Sequence, residues 1–239
     1  MMSIHSDFFA SVRILNALMD IFLNSVQKTG KGEASELWTP SLKDVCTVFL
    51  NMGASFQSLF PLQSLQPGFT YEQIISEIDV LRRDCSSTKT SISEHFAFLS
   101  PFNVIHVIKF LVFCTNLCPE AYTDHELMLL ISVVCRISLE RKLQLIPLVD
   151  FESLLESLLK NIKDWDSQLP ALCLVLSDIT DHHHNLLRVV QLLPSAHTRG
   201  RELRRHLSLV IISKLLDKKC TYVPRTRDFQ ASAEKNISL

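Results

Sequence analysis

Residues Leu192–Leu216 read LLPSAHTRGRELRRHLSLVIISKLL. Their apolar residues recur at helical spacing, which predicts a helix over about 199–218. Four arginines lie in its first two turns: Arg199, Arg201, Arg204 and Arg205. Cations at the start of a helix oppose its dipole by a few tenths of a kcal/mol each when exposed, on the order of 0.3–1 at most. We therefore expect a group outside the helix to offset them: an acidic partner surface, a phosphate or an internal carboxylate.

The spacing of this helix separates two faces. Arg201, Arg204 and Arg205 stand at i, i+3 and i+4, so they share one side of the helix. The opposite side is predicted to pack against the core through apolar residues, which are Leu203, Leu207, Val210, Ile211 and Leu215. The arginines are therefore the candidate partner-binding residues of the chain.

Charge is concentrated at this end of the sequence. Residues 197–227 hold nine Lys or Arg and two acids, a local balance of +7, so the rest of the chain sums to −8. Such a basic end fits an acidic protein or a nucleic acid, and it equally fits a solvated face paired with the chain's own acids. Nucleic-acid readers usually add aromatic side chains for stacking, and none occurs between Leu192 and Cys220. The pattern favours an acidic protein partner, with nucleic acid as a weaker alternative.

Composition sets the fold class. Hydrophobic residues make up 47% of the 239 residues and only five are glycine, which favours helices over turn-rich sheets. No segment alternates with period two between hairpin dipeptides. The sequence predicts an all-α, irregular array of about nine or ten helices, bundle-like or a short solenoid, with no sheet. We expect one helical interaction domain over 1–222 and a polar C-terminal tail over 223–239.

Local signals place the helices. Capping boxes are predicted at Thr70–Gln73, Ser91–Glu94 and Thr123–Glu126, and helix starts at Thr39-Pro40 and Ser100-Pro101. Asp150 and Ser167 are the predicted caps of two further helices. Gly53 is predicted to end one helix in a left-handed conformation. The predicted helices span 6–26, 40–51, a short piece to 60, 70–83, a short piece from 91, 101–117, 123–140, 150–163, 167–179, 183–193 and 199–218.

Two clusters of histidine or cysteine residues contain possible metal ligands. His182, His183 and His184 are adjacent, so on a regular helix they point about 100° apart and cannot share one ion. Cys114 and Cys118 share a helix face, but mid-helix thiols more often pack as small apolar residues. No phosphate-binding glycine loop or nucleophile elbow is present. The sequence predicts no catalytic residue, no metal and no cofactor.

Seven scattered cysteines indicate free thiols in a reducing compartment. The first ten residues lack the pattern of a signal peptide, and the longest apolar runs fall short of the roughly 20 residues of a membrane span. We therefore expect an intracellular, soluble protein with no membrane partner.

Four blocks carry a resemblance to a known family: MMSIHSDFFASVRILNALMDI from Met1, WTPSLKDVCTVFLNMGASFQSLFPLQSLQPGF from Trp38, IPLVDFESLLESLLKNIKDWDSQLPALCL from Ile146 and HNLLRVVQLLPSAHTRGRELRRHLSLVIISKLLD from His184. They resemble the helical domain of localization factor two of the structural-maintenance-of-chromosomes five–six complex, also called the coiled-coil and Nse5-interacting domain. The resemblance covers about residues 1–224. Family members continue before Met1 and add apolar helices where this chain has 225–239, so the domain is expected to be incomplete at both ends.

The resemblance implies a nuclear adaptor without enzymatic activity. It implies recruitment of the five–six complex to damaged chromatin through helical surfaces that contact its subunits or associated repair factors, and it supplies no catalytic residue. On this interpretation Arg199, Arg201, Arg204 and Arg205 belong to a protein-docking surface. The alternative is a helical domain that binds nucleic acid without sequence preference through 197–227.

Overall fold

The computed structural model describes residues 7–29, 38–84, 101–143 and 148–217. Within these ranges the chain forms ten α-helices and no strand, which confirms the all-α prediction. The helices are α1 Phe8–Thr29, α2 Leu42–Asn51, α3 Phe56–Leu59, α4 Tyr71–Asp84, α5 Pro101–Leu117, α6 Asp124–Ser138, α7 Val149–Asn161, α8 Trp165–Ser177, α9 His183–Leu192 and α10 Thr198–Asp217. Short 3₁₀ turns lie at Pro119–Ala121 and Arg141–Leu143.

Two predicted capping boxes are confirmed. The backbone N–H of Thr123 donates to the Glu126 carboxylate at 2.9 Å, and the Glu126 N–H donates back to the Thr123 hydroxyl at 3.3 Å. Thr70 and Gln73 make the same reciprocal pair at the start of α4. Gly53 has φ 95°, so the left-handed end predicted after α2 is also confirmed.

The predicted cap of α2 was wrong by two residues. Ser41, and not Thr39, caps the helix: its hydroxyl accepts from the Asp44 N–H at 3.1 Å, and its own N–H donates to the Asp44 carboxylate at 2.9 Å. Serine followed three residues later by an acid completes both bonds of a capping box, whereas Thr39 has no acid at that spacing. The complete box therefore decides the start of the helix.

The predicted caps of α7 and α8 were also wrong. Helix α7 starts after Leu148, and Asp150 lies inside its first turn, where its carboxylate pairs with Lys109 at 3.8 Å. Helix α8 is capped by Asp164, whose side chain accepts from the Ser167 N–H at 3.3 Å. Helix α8 thus begins at an aspartate three residues before the predicted cap, whereas α7 begins after Leu148 without a side-chain cap.

Helices α5, α6 and α7 form the centre of the core. Helix α7 packs against both α5 and α6, while α1 covers α5 and α8 packs against α10. Helix α6 is buried on all sides from Leu127 to Cys135. An all-round apolar helix is stable only where neighbours cover every face, which accounts for the central position of α6.

Helix α1 lies on the core as an amphipathic layer. Leu15 and Phe22 are buried, whereas Phe8 is 47% exposed. By length and composition alone, Phe8–Lys28 is long and apolar enough to cross a membrane, whereas the sequence pattern predicts no span. Its buried stripe, however, packs on α5, with the Ser11 hydroxyl 2.9 Å from His106 Nδ1.

Some predictions fall outside the described residues. They are the capping box at Ser91–Glu94, the hydroxyl cap at Ser100 and the tail over 223–239. The domain boundary near residue 222 therefore stays a prediction.

Candidate interaction surface

Helix α10 is held against the core by one apolar face. Leu203, Leu207 and Val210 are fully buried there, as the spacing predicts. Gly200 lies in the first turn, where an added Cβ would stand 2.2 Å from the Pro194 carbonyl oxygen. The start of α10 is thus pressed onto the turn that precedes it, and this close approach accounts for a glycine inside a helix.

Arg199 is used inside the fold. Its Nη1 lies 2.8 Å from the Leu159 carbonyl, 2.9 Å from that of Lys160 and 2.8 Å from that of Ile162. These carbonyls end α7, where the last four carbonyls of a helix have no partner in their own helix. The Arg199 guanidinium also lies 5.3 Å from the ring centre of Trp165. A cation at the C-terminal end of α7 is favoured by that helix's dipole.

Arg204 does the same for α9. Its Nε donates to the Val190 carbonyl at 2.9 Å and its Nη2 to the Gln191 carbonyl at 2.7 Å, both in the last turn of α9. The guanidinium fork thereby satisfies two terminal carbonyls at once. The half-buried Arg204 thus ties α9 to α10.

Arg201 and Arg205 lie further out. Both side chains are exposed. Arg201 Nη1 donates to the Ala196 carbonyl at 2.9 Å, in the turn before α10. These two guanidinium groups are therefore at the surface, whereas Arg199 and Arg204 are largely committed to the fold.

The groups that offset the charge of three of the arginines are neither a carboxylate nor a phosphate but backbone carbonyls. Backbone carbonyls at the ends of α7 and α9, and in the turn before α10, accept from Arg199, Arg204 and Arg201. A carbonyl acceptor leaves no mark in the sequence because every residue has one. Partner binding by the four arginines stays a prediction.

Helices α8 and α10 run parallel. Trp165 Nε1 donates to the Glu202 carboxylate at 2.8 Å near the start of both helices. Lys214 Nζ donates to the Ser177 hydroxyl at 2.7 Å and pairs with Asp178 near their ends. These contacts at both ends fix which face of α10 points outward.

One predicted core residue is at the surface. Leu215 is 61% exposed, so its predicted packing against the core was wrong. Ile212 and Leu216 are 51% and 77% exposed on the same end of the helix. The C-terminal half of α10 is apolar nearly all round, so its inner face is covered and its outer face is not.

A second apolar surface lies between α2, α3 and α4. Phe56, Phe69, Tyr71 and Ile78 line a cleft of about 940 Å³ there. Its walls offer mainly aliphatic and aromatic contact. The sequence pattern predicts no cleft here, although its lining residues all lie between Leu50 and Ile78.

The two histidine and cysteine clusters do not converge. His182, His183 and His184 are exposed at the entry to α9, with the rings of His183 and His184 4.1 Å apart. Cys114 is buried, and His125 is exposed at the start of α6. Among the residues that the structure describes, no three His, Cys, Asp or Glu side chains are grouped to hold a metal ion.

The buried thiols are not activated nucleophiles. Burial raises the pKa of the thiols of Cys46, Cys114 and Cys135 to about 12. The thiolate is the reactive form of cysteine, so at neutral pH these groups are protonated. They behave as small apolar residues of the core.

The chain matches a known domain over most of its length. The sequence profile of the Coiled-coil and Nse Interacting (CANIN) domain matches residues 1–221. The chain belongs to this family. The resemblance that the four sequence blocks carry is thereby confirmed.

This CANIN chain is similar in sequence to several named proteins. It is 47% identical over 232 residues to human SMC5-SMC6 complex localization factor protein 2, covering 97% of this chain and 20% of that protein. It is 45% identical over 237 residues to the zebrafish (Danio rerio) protein of the same name, covering 98% of this chain and 21% of the relative. Human Protein FAM178B is 39% identical over 184 residues, covering 77% of this chain and 26% of that protein. The chain thus spans about a fifth to a quarter of these relatives.

Proposed function

We propose that this chain is a non-enzymatic nuclear adaptor domain that docks onto subunits of the SMC5-SMC6 complex and helps to recruit that complex to damaged chromatin. The observation that carries the proposal is membership of the CANIN family together with relatives named as SMC5-SMC6 localization factors. The match extends over nearly the whole chain, so it concerns the helical domain itself.

The surface chemistry supports docking between proteins. Helix α10 exposes large apolar side chains next to two exposed arginines. Apolar patches rimmed by charge are typical of surfaces that bind other proteins. The chain also has an apolar cleft between α2 and α4 that could receive a side chain of a partner.

The arginine geometry counts against nucleic acid as the main ligand. Arg199 and Arg204 donate to backbone carbonyls of α7 and α9, so these N–H groups already have acceptors within the fold. Phosphate contacts need free cationic donors at the surface. Direct binding of DNA by 197–217 should therefore be weak and lost at physiological salt.

The proposal is tested with the reconstituted human SMC5-SMC6 complex and the purified 239-residue chain. Biolayer interferometry at physiological salt should show direct binding at micromolar concentration or better. The variant Leu155→Asp, which places a charge at a fully buried position, should lose both its helical circular dichroism and its binding. A folded wild-type chain that does not bind the complex would contradict the proposal.

The location of the chain in cells tests the proposal that it acts in the nucleus. A fluorescent fusion of the chain should concentrate in the nucleus and at sites of laser-induced DNA damage, and depletion of SMC5-SMC6 subunits should disperse these foci. A filter-binding series with duplex DNA from low to physiological salt completes the test. Retention of DNA at physiological salt would favour the nucleic-acid alternative.

A further inference from the structure

The outward face of α10 has the spacing of a helix-pairing surface. Five positions follow one another at steps of four, three, four and three residues: Arg201, Arg205, Ser208, Ile212 and Leu215. We call these residues the outward seam. Steps of four and three repeat every seven residues, which keeps them on one side of a helix and is the spacing of a two-helix coiled coil. They lie on the side opposite the buried Leu203, Leu207 and Val210.

The seam has two chemically different halves. Its N-terminal half carries two exposed cations, Arg201 and Arg205. Its C-terminal half carries Ile212 and Leu215, both more than half exposed, with exposed Leu216 beside them. Ser208 lies between the halves, and its hydroxyl is turned back onto the Arg204 carbonyl at 2.8 Å. A small side chain there leaves room for a residue of a facing helix.

The seam is held in a fixed direction by the fold. Arg204 ties α10 to the end of α9, and Lys214 ties it to the end of α8. These contacts lie on the flanks of the helix, so a helix docking on the seam would not break them. A surface already set in its bound orientation loses little entropy on binding.

The arrangement of charged and apolar residues along the outward seam disfavours pairing with the seam of a second copy of this chain. In a parallel pair, Arg201 and Arg205 would face the same arginines of the other copy. In an antiparallel pair, they would face Ile212 and Leu215, which would bury a guanidinium group against apolar carbon. Like charges repel, and a charge buried without a partner is strongly unfavourable.

We propose that the outward seam of α10 binds a helix of a partner protein that carries apolar residues at heptad spacing and Glu or Asp at the end beside Arg201 and Arg205. This inference rests on the proposed docking function and names the surface and the chemistry of the partner. Arginine pairs well with carboxylates through its planar fork, so the acidic end fixes the register of the helix. The apolar end supplies most of the buried area.

Synthetic peptides test the proposal directly. The probes are helical peptides of about three heptads with leucine at the core positions of one half. The other half carries glutamate in two of the peptides and lysine in the other two. Within each two, the charged half stands at the N-terminus of one peptide and at the C-terminus of the other, so that both helix directions are tested. Fluorescence anisotropy should show that one glutamate peptide binds the full chain, at least about tenfold more tightly than its lysine counterpart, because the lysine peptide repels the arginines.

Variants of the chain locate the contact. Ile212→Glu should weaken binding of the glutamate peptide by about tenfold or more. The matched control is Ile21→Glu on α1, an isoleucine that is 63% exposed on a different helix, and it should leave binding unchanged. The double variant Arg201→Glu/Arg205→Glu should transfer the preference to the lysine peptide. Circular dichroism spectra that match the wild type show that each variant is folded.

Three results with the chain and the peptides would overturn the seam, and a fourth comes from the SMC5-SMC6 complex below. The three are that neither glutamate peptide binds, that Ile212→Glu binds the glutamate peptide as well as the wild type does, or that sedimentation shows a dimer of the chain that Ile212→Glu dissociates. The reconstituted SMC5-SMC6 complex separates this proposal from the previous one. If the complex binds wild type and Ile212→Glu equally, the seam is wrong and the docking function stands. If the glutamate peptide binds and the complex does not, the seam stands and the proposed partner is wrong.

Discussion

Replacing Arg199 by alanine should destabilise the whole domain. Its Nη1 faces three carbonyls at 2.8–2.9 Å but carries only two hydrogens, so about two full hydrogen bonds are lost. Each bond from a charged donor contributes about 1.5 kcal/mol at the low end of its range, which suits a half-buried group. The contact with Trp165 adds about 0.5 kcal/mol. Relief of the unfavourable dipole term of α10 subtracts a few tenths of a kcal/mol.

The net loss in the free energy of unfolding is therefore about 3 kcal/mol. Urea denaturation followed by circular dichroism at 222 nm measures this loss, and the melting temperature should fall by about 6–12 °C. Arg199→Lys should lose roughly half as much, because it keeps the charge but not the planar group that lies over Trp165. The control Arg13→Ala, on the exposed side of α1, should stay within about 0.5 kcal/mol of the wild type. A loss for Arg199→Ala no larger than for Arg13→Ala would refute the reasoning.

Two further predictions follow from buried polar contacts. Trp165→Phe removes the 2.8 Å bond to Glu202 and should reduce the free energy of unfolding in urea by about 1–2 kcal/mol; an unchanged midpoint would contradict this role. Burial, followed by the charge of Lys109, lowers the pKa of His106 below its usual 6.5, against a smaller opposing effect of Asp150. The folded state therefore favours the neutral ring, so stability is greatest above the unfolded pKa and should fall as pH drops below about 6.5. His106→Gln should flatten this decline in urea midpoints measured from pH 7.5 to 5, whereas His125→Gln on the surface should not; equal slopes in all three proteins would contradict it.

The sequence predicts helices well where a local signal is complete. Thr123 with Glu126, and Thr70 with Gln73, form reciprocal bonds within four residues, so both helix starts could be predicted from spacing alone. The start of α8 could not, because Asp164 and Ser167 both offer a capping oxygen within one turn. Asp164 fills this role, since its side chain accepts a hydrogen bond from the Ser167 N–H.

The interaction surface was only partly predictable. The arginines stood out in the sequence because they violate the usual charge preference of a helix start. Their acceptors could not be found this way, since every residue carries a carbonyl and the sequence does not show that the ends of α7 and α9 lie beside α10. Leu215 was misplaced for a related reason: in a helix that is apolar nearly all round, the pattern does not reveal which side the core covers.

Because Arg199 and Arg204 bind the carbonyls at the ends of α7 and α9, substitutions at these two positions change the stability of the fold as well as any binding of a partner. Charge reversal at either position would place a carboxylate against carbonyl oxygens that have lost their donor, and would loosen α10 from the end of α7 or of α9. A loss of partner binding measured for variants at 199 or 204 would therefore reflect loss of folding. Substitutions at the exposed positions 201, 205 and 212 are better suited to report recognition separately from folding.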